Sequence, residues 1–297
     1  MIDKACPSGV LAAIVFTLSA ATAEAQSDDG MFNLAGTTSG RLLLTGGVSQ
    51  VEGSAGGGLT PWALIAGYGT EDEIGGAAYF TRVETDDFSL DSYGVQVGFF
   101  NRVELSISQQ SFNLQDVGVA LSLGPDFDID VTTYGAKLRL FGDAVLEQDS
   151  WIPQVSVGAQ YKTNAQGGLL SALGADEDNG LDLYVSATKL YLDQSLLLNA
   201  TVRFTEANQF GILGFQDGYS AQFEGSAAYL INRFLAVGVE YRTKPDELAV
   251  AAEDDAFDVF LAWAPTKNVS ATLAYVDLGN IVVGDQSGVY ASVNFSF

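Results

Sequence analysis

The stretch 235–242, LAVGVEYR, alternates large apolar residues with small or charged ones. Leu235, Val237 and Tyr241 fall on one face of an extended chain, and Glu240 and Arg242 fall on the other. Because successive side chains of a strand point to opposite faces, this period of two predicts a β-strand with two unlike surfaces. The same alternation recurs from about residue 60 onward and predicts an all-β fold.

Applied to the whole chain, the pattern predicts fourteen strands, and the alternative count of twelve leaves out the first two segments. An even number of strands would place both ends of a closed barrel on the same rim. The predicted ranges are 41–52, 61–69, 74–84, 89–99, 102–111, 130–141, 152–162, 181–191, 195–205, 220–231, 234–243, 255–264, 268–277 and 287–297.

Alternation alone does not separate a soluble β-sandwich from a membrane barrel, but three features favour the barrel. Segments such as 195–205 exceed the five or six residues of usual globular strands and suit the ~9–11 of membrane strands. Aromatic pairs six residues apart predict girdles near both ends of one strand face. Short and long connections alternate, as in an up-and-down barrel. The aromatic pairs are Tyr93 and Phe99, Phe223 and Tyr229, and Phe257 and Trp263.

Composition excludes several functional classes. The formal net charge of −24 disfavours nucleic-acid binding, and the absence of histidine removes histidine-based catalysis and the usual zinc sites. The known families of enzymatic outer-membrane barrels are expected to carry histidine in their catalytic sites. The sequence therefore predicts no enzyme activity, no catalytic residue, no metal and no cofactor.

The N-terminus is typical of an exported protein. Lys4 precedes an apolar run, 10–18, and the small-residue sequence ending at Ala25, so residues 1–25 are predicted to be a signal peptide. The one cysteine, Cys6, would leave with it. Residues 26–40 are predicted to be a short flexible periplasmic lead-in, and residues 41–297 an outer-membrane β-barrel.

The last ten residues, GVYASVNFSF, alternate and end on Phe297. This segment resembles the C-terminal strand of Gram-negative outer-membrane proteins, which implies recognition by the barrel-assembly machinery. The chain also resembles a family of Gram-negative outer-membrane β-barrel proteins of unknown function. That resemblance implies a location and an architecture but brings no activity. It rests on LLLTGGVSQVEGSAGGGLTPWALIAGYGT, DSYGVQVGFFNRVELS, ATKLYLDQSLLLNAT and AVGVEYRTKPDEL.

Charged residues of both signs are predicted on the polar face, which would line the lumen. Two interpretations fit them: a constriction that selects solutes by charge, or a network of salt bridges that fills the interior. The predicted lumen residues are Arg102, Glu104, Lys137, Arg139, Lys162, Asp182, Arg203, Glu224, Glu240, Arg242 and Asp258.

Acidic residues gather in the predicted outer loops, where the expected partners are outer-membrane lipid and lipopolysaccharide. Three interpretations fit them: divalent cations bridging to lipopolysaccharide phosphates, repulsion of anions at the mouth, or plain solvated loops. These residues are Asp116, Asp126, Asp128, Asp130, Asp176, Glu177, Asp178, Asp246, Glu247, Glu253, Asp254 and Asp255.

The functional hypothesis is a porin-like passive channel for small solutes. A closed structural or adhesion barrel is the alternative. A carrier of hydrophobic compounds is disfavoured, because the inner face is polar and residues 26–40 leave no room for a plug domain. The glycine cluster 53–58 is predicted to be a turn at the outer rim that joins the first two strands, with Pro61 opening the second. Whether these glycines also let the backbone fold inward is left open.

Overall fold

The computed structural model describes residues 33–34, 42–46, 48–248 and 253–297. A two-residue strand, β1 (Asn33–Leu34), pairs in parallel with the beginning of the next strand. The other twelve strands, β2 to β13, run antiparallel in chain order, and β13 pairs with β2. The sheet is therefore a closed barrel, which leaves no unpaired edge.

The barrel strands are β2 (Glu73–Thr85), β3 (Ser89–Phe99), β4 (Val103–Asn113), β5 (Asp128–Phe141), β6 (Gln154–Asn164), β7 (Asn179–Tyr191), β8 (Leu196–Ala207), β9 (Phe215–Asn232), β10 (Leu235–Arg242), β11 (Ala256–Trp263), β12 (Val269–Asn280) and β13 (Asp285–Ser296). Two short helices, α1 (Gln115–Ala120) and α2 (Gly167–Leu173), lie in loops, and a 3-10 turn covers Gln209–Gly211. Over the described ranges, no helix is long and apolar enough to cross a membrane.

The count of twelve corrects the prediction of fourteen strands. Residues 42–46 and 48–70 form no barrel strand, so the predicted strands 41–52 and 61–69 are wrong. Alternation in 61–69 does not mark a strand, because the side chains of both alternating sets are buried inside the barrel. The predicted signal peptide 1–25, and the lead-in 26–40 apart from residues 33–34, lie outside the described residues.

The outward face of the barrel is mostly apolar, with exceptions such as the exposed ion pairs of Arg82 with Glu84 and Asp91 on β2 and β3. Its aromatic side chains include Phe223 and Tyr229 on β9 and Trp263 on β11, which are 63%, 53% and 52% exposed. The inward residues between them are buried and mostly small, polar or charged. An apolar belt outside and a polar interior are the pattern of an outer-membrane barrel, so the barrel lies in that membrane.

The two rims differ in their connections. The rim that holds the C-terminus carries the turns 100–102, 192–195, 233–234 and 264–268 and the longer segment 142–153. The opposite rim carries the short turns 86–88 and 281–284 and the loops 114–127, 165–178, 208–214 and 243–255. In outer-membrane barrels the longer loops are extracellular, so we call this second rim the outer rim.

We expect that Val259→Arg, in the middle of β11 on the lipid face, lowers the free energy of unfolding by ~2–4 kcal/mol, because a lipid-facing cation loses its hydration. Leu146→Arg is the matched control, because Leu146 lies in the segment 142–153 and is 73% exposed. Urea unfolding in phospholipid vesicles measures both. Equal losses for the two variants would contradict the assignment of this face to lipid.

Candidate functional site

A segment of the chain fills the lumen. Residues 48–68, which we call the plug segment, precede β2, and every one of them is buried. The segment enters and leaves at the C-terminal rim, where the Gly67 amide donates to the Gly46 carbonyl at 2.9 Å and the Tyr68 amide to the Phe297 carbonyl at 2.9 Å. The glycine cluster 53–58 therefore lies inside the barrel, and the prediction of a turn at the outer rim is wrong.

The wall holds the plug segment mainly through its backbone. The Val51 carbonyl accepts from the hydroxyls of Tyr79 and Ser92 at 3.2 and 2.6 Å and from the Gln110 amide at 2.9 Å. The Pro61 carbonyl accepts from Thr201 Oγ1 at 3.0 Å. Buried backbone groups that lack a neighbouring strand need such partners. The polar inner face of the barrel supplies them, so the plug segment needs no sheet of its own.

Five neighbouring strands each place one charged side chain around the same point of the lumen, with alternating sign. We call these five residues the wall arc: Lys162 on β6, Asp182 on β7, Arg203 on β8, Glu224 on β9 and Arg242 on β10. Each acidic side chain of the arc pairs with the cations on both sides of it. Their side chains are almost completely buried, and all five lie on the inner face.

Glu52 of the plug segment closes the wall arc into a ring of six charges. Its Oε1 pairs with Lys162 Nζ, and its Oε2 accepts from Arg242 Nη1. Arg203 Nη2 lies 3.7 Å from Glu52 Oε2. Three cations then face three carboxylates. Such buried charges are tolerated because they are paired and hydrogen-bonded.

A further ion pair of the wall, Glu104 with Lys137, binds the plug segment. Glu104 on β4 accepts from the amides of Ala55 and Ala66 at 3.1 and 2.9 Å, and Lys137 on β5 pairs with Glu104 at 3.2 Å. Lys137 also donates to the Ala55 carbonyl at 2.9 Å. This pair therefore ties the two arms of the segment, near Ala55 and Ala66, to the same side of the barrel.

The glycine cluster permits the close approach of the plug segment to the wall. A Cβ atom on Gly57 would lie 1.8 Å from Glu240 Oε1. That carboxylate is fixed in place, because it accepts from the Leu59 amide at 2.8 Å and from Thr60 and Ser226 hydroxyls at 2.7 Å. No side chain fits between the Gly57 backbone and the wall, which answers the question that the sequence left open: the glycines let the backbone fold inward.

The outer rim covers the same site. Residues 208–214 fold into the mouth of the barrel and are buried, and Asn164 donates to the Gly211 carbonyl at 2.9 Å. The Phe210 ring lies 4.1 Å from the guanidinium carbon of Arg242, a cation–π contact. At the same rim, burial raises the pKa of Glu253, in the loop 243–255, to about 7. The wall arc is thus closed from the outer side by an aromatic side chain.

Most of the predicted lumen residues face the interior. Two do not line it as predicted: Arg102 lies in the exposed turn 100–102 before β4 begins, and Arg139 binds the Gly142 carbonyl and Asp143 at the C-terminal rim. Both lie at the end of a strand. Arg102 has the same parity as Glu104, and Arg139 has the same parity as Lys137, but at this height their side chains lie at the rim and not in the lumen. The buried ones are Glu104, Lys137, Lys162, Asp182, Arg203, Glu224, Glu240, Arg242 and Asp258.

Asp258 stands apart from the ion pairs. It lies directly opposite Glu240 in the register of β10 and β11, and its Oδ1 has no hydrogen-bond partner among the described residues. It lines a mostly apolar cavity between the plug segment and the wall, together with Trp62, Phe260 and Tyr290. In the described ranges, this cavity included, no group of three or more Cys, Asp or Glu side chains is arranged to hold a metal ion.

Sequence reasoning missed Glu52, the residue that completes the ring. A signal was present, because Glu52 is the one charged residue in the stretch 48–68 and lies beside the glycine cluster. A single acid in an otherwise uncharged, buried segment needs a cation. The cations that lie opposite Glu52 come from strands far along the chain, however, so spacing alone did not identify them.

We expect that Glu52→Gln loosens the plug segment, because it leaves Lys162, Arg203 and Arg242 with two carboxylates instead of three. Breaking a buried ion pair typically costs ~3–5 kcal/mol. The readout is labelling of Ser49→Cys by a membrane-impermeant maleimide, since Ser49 is fully buried and its hydroxyl has no partner among the described residues. Labelling should become at least about tenfold faster.

In these labelling experiments Cys6 is replaced by serine. The matched control is Glu71→Gln, which removes the same charge from an exposed residue next to the plug segment. Its labelling rate should equal that of the parent protein. If Glu52→Gln labels no faster than this control, the ring does not hold the plug segment.

Gly57→Ala tests the close approach independently of charge. The added methyl group overlaps the position of the Glu240 carboxylate, so the plug segment must move and labelling at Ser49→Cys should accelerate. Gly168→Ala is the control, because a Cβ on Gly168 in α2 meets no atom within 4 Å. Unchanged labelling of the Gly57 variant would mean that the wall yields instead.

Solved structures with a similar fold are outer-membrane proteins. The KdgM porin in complex with disordered oligogalacturonate is 12% identical, with a TM-score of 0.49, over 74% of this chain and 99% of that chain. An outer-membrane channel from Pseudomonas putida F1 is 14% identical, with a TM-score of 0.47, over 75% and 94%. Outer membrane phospholipase A from Escherichia coli is 11% identical, with a TM-score of 0.43, over 78% and 91%. Such distant likenesses assign no activity to this chain.

A search of curated proteins gave no match. One protein-family model covers residues 45–294, which takes in the plug segment and nearly all of the barrel. The resemblance to a family of outer-membrane barrels of unknown function is therefore confirmed, and the chain belongs to the family described as "Protein of unknown function (DUF3034)".

Proposed function

We propose that the protein is a channel for small solutes across the outer membrane, and that the plug segment closes it in the described conformation. The observation that carries this proposal is the polarity of the wall behind the plug segment. Hydroxyl, amide and charged side chains face it, and many of them bond to its backbone. Water can replace the plug backbone as partner of these groups at little net cost, because the hydrogen bonds are exchanged and not lost.

The path of the plug segment also supports a channel that opens when this segment withdraws from the lumen. Both ends lie at the C-terminal rim, where Gly46 and Gly67 are joined by a hydrogen bond. A segment that enters and leaves at one rim can move out as a loop, with no threading of the chain through the barrel. Opening then requires the ring around Glu52 to separate and its charges to be hydrated.

A closed structural barrel is the second candidate. The complete burial of the plug segment and the inward fold of residues 208–214 favour it, because together they close the lumen at two levels. In that case the acidic outer loops would carry the function by contacting lipopolysaccharide or a protein partner. The two candidates differ in one property, which is conductance.

Removal of residues 48–68 should open the channel. The closeness of Gly46 and Gly67 allows the chain on the two sides of the deletion to be rejoined through one or two glycines without strain on the barrel. In planar bilayers we expect frequent conductance steps from this deletion variant and rare steps from the native protein. Heat-modifiable migration on a gel establishes that the deleted barrel is folded.

The Glu52→Gln variant gives a second route to the same result, because it loosens the plug segment without a deletion. Glu71→Gln is again the matched control and should conduct like the native protein. A folded deletion variant that gives no conductance steps would reject a channel closed by the plug segment and leave the closed barrel, in which residues 208–214 also close the lumen.

A further inference from the structure

The wall arc is incomplete without the plug segment. By itself it has three cations, Lys162, Arg203 and Arg242, and two carboxylates, Asp182 and Glu224, so its formal charge is 3 − 2 = +1. Both ends of the arc are cations, because the order along the wall is Lys162, Asp182, Arg203, Glu224, Arg242. The gap between its two ends is therefore suited to one negative group.

Glu52 fills this gap as a carboxylate, and it is held in the way that proteins hold carboxylate ligands. The guanidinium of Arg242 spans both oxygens, with Nη1 donating to Oε2 and Nη2 donating to Oε1 at 3.4 Å. Lys162 pairs with Oε1, and Gln50 donates to Oε2 at 2.7 Å. A planar, two-oxygen anion matches such a fork better than a spherical ion does.

Glu52 leaves one hydrogen-bond donor of the wall arc without a partner in the described ranges. Arg203 Nη2 is buried and makes no hydrogen bond among the described residues, since Glu52 Oε2 lies 3.7 Å away. A buried guanidinium nitrogen without a hydrogen-bond partner is costly. A carboxylate that is free to move is not restricted by the plug backbone and can bond to Arg203 Nη2 as well as to Lys162 and Arg242.

We propose that the wall arc is a binding site for small carboxylates, which Glu52 occupies as an internal substitute while the barrel is closed. The solute class of the proposed channel is then small molecules that carry a carboxylate group. This inference rests on the proposed channel function for its biological meaning, but the binding site itself is testable without any measurement of transport.

The experiment uses the full chain with Glu52→Ala, which removes the substitute carboxylate and leaves its space. Isothermal titration calorimetry of the detergent-solubilised barrel measures binding of acetate, with acetamide as the neutral probe of the same shape. We expect the variant to bind acetate at least about tenfold more tightly than the native protein does, and to show no such gain for acetamide.

Substitutions in the arc give the matched comparison. In the Glu52→Ala background, Arg242→Gln should weaken acetate binding by about tenfold or more, whereas Arg233→Gln, which removes a cation from an exposed turn, should leave it unchanged. Equal acetate binding by the native and Glu52→Ala proteins, or equal binding of acetate and acetamide, would overturn the proposal.

A second measurement applies if Glu52→Ala does not fold. In the otherwise native chain with Ser49→Cys, acetate should accelerate maleimide labelling relative to acetamide, and relative to chloride at the same ionic strength, because it competes with Glu52. No difference between the three would reject the site. Acetate binding without conductance would reject the channel alone, and conductance without acetate binding would reject the site alone.

Discussion

The pairing of Glu52 with Lys162 and Arg242 is the interaction on which the closed lumen depends. It joins a segment outside the sheet to five consecutive strands whose charges alternate in sign. Buried ion pairs add little net stability, because the cost of removing charges from water offsets their attraction. Their value lies in position: a plug segment displaced by a few ångströms would leave a buried cation without its carboxylate.

Each strand of the barrel faces two environments, which are lipid on the outside and the plug segment on the inside. The outer face exposes apolar and aromatic side chains to lipid, and the inner face supplies hydrogen bonds to a chain that has no neighbouring strand of its own. Glycines on the plug segment bring its backbone within reach of side chains such as Glu240, and the strand alternation supplies those side chains at every second residue. The packing of the plug segment and the proposed channel therefore rest on the same polar wall.

The strands β2 to β13 were predictable because each carries its own alternation. The predicted range 89–99 matches β3, and most other boundaries fall within two residues of the structure. The exceptions have physical reasons. Residues 61–69 alternate but form no strand, because wall side chains and not a neighbouring strand bond to the backbone of Pro61, Ala63 and Ala66. Arg102 and Arg139 share the inward parity but lie at the rim, where Arg102 is exposed and Arg139 pairs with Asp143.

By itself, the sequence determined the twelve strands of the wall, which face of each strand is apolar, and that the other face carries charges of both signs. These properties depend on neighbours one or two residues away. Only the tertiary structure decided that residues 48–68 enter the lumen and that Glu52 completes the ring. Its partners Lys162 and Arg242 are 110 and 190 residues away, and closure of the sheet is what brings them together. Local patterning therefore specifies the wall, while the contents of the lumen depend on contacts that exist only after the barrel closes.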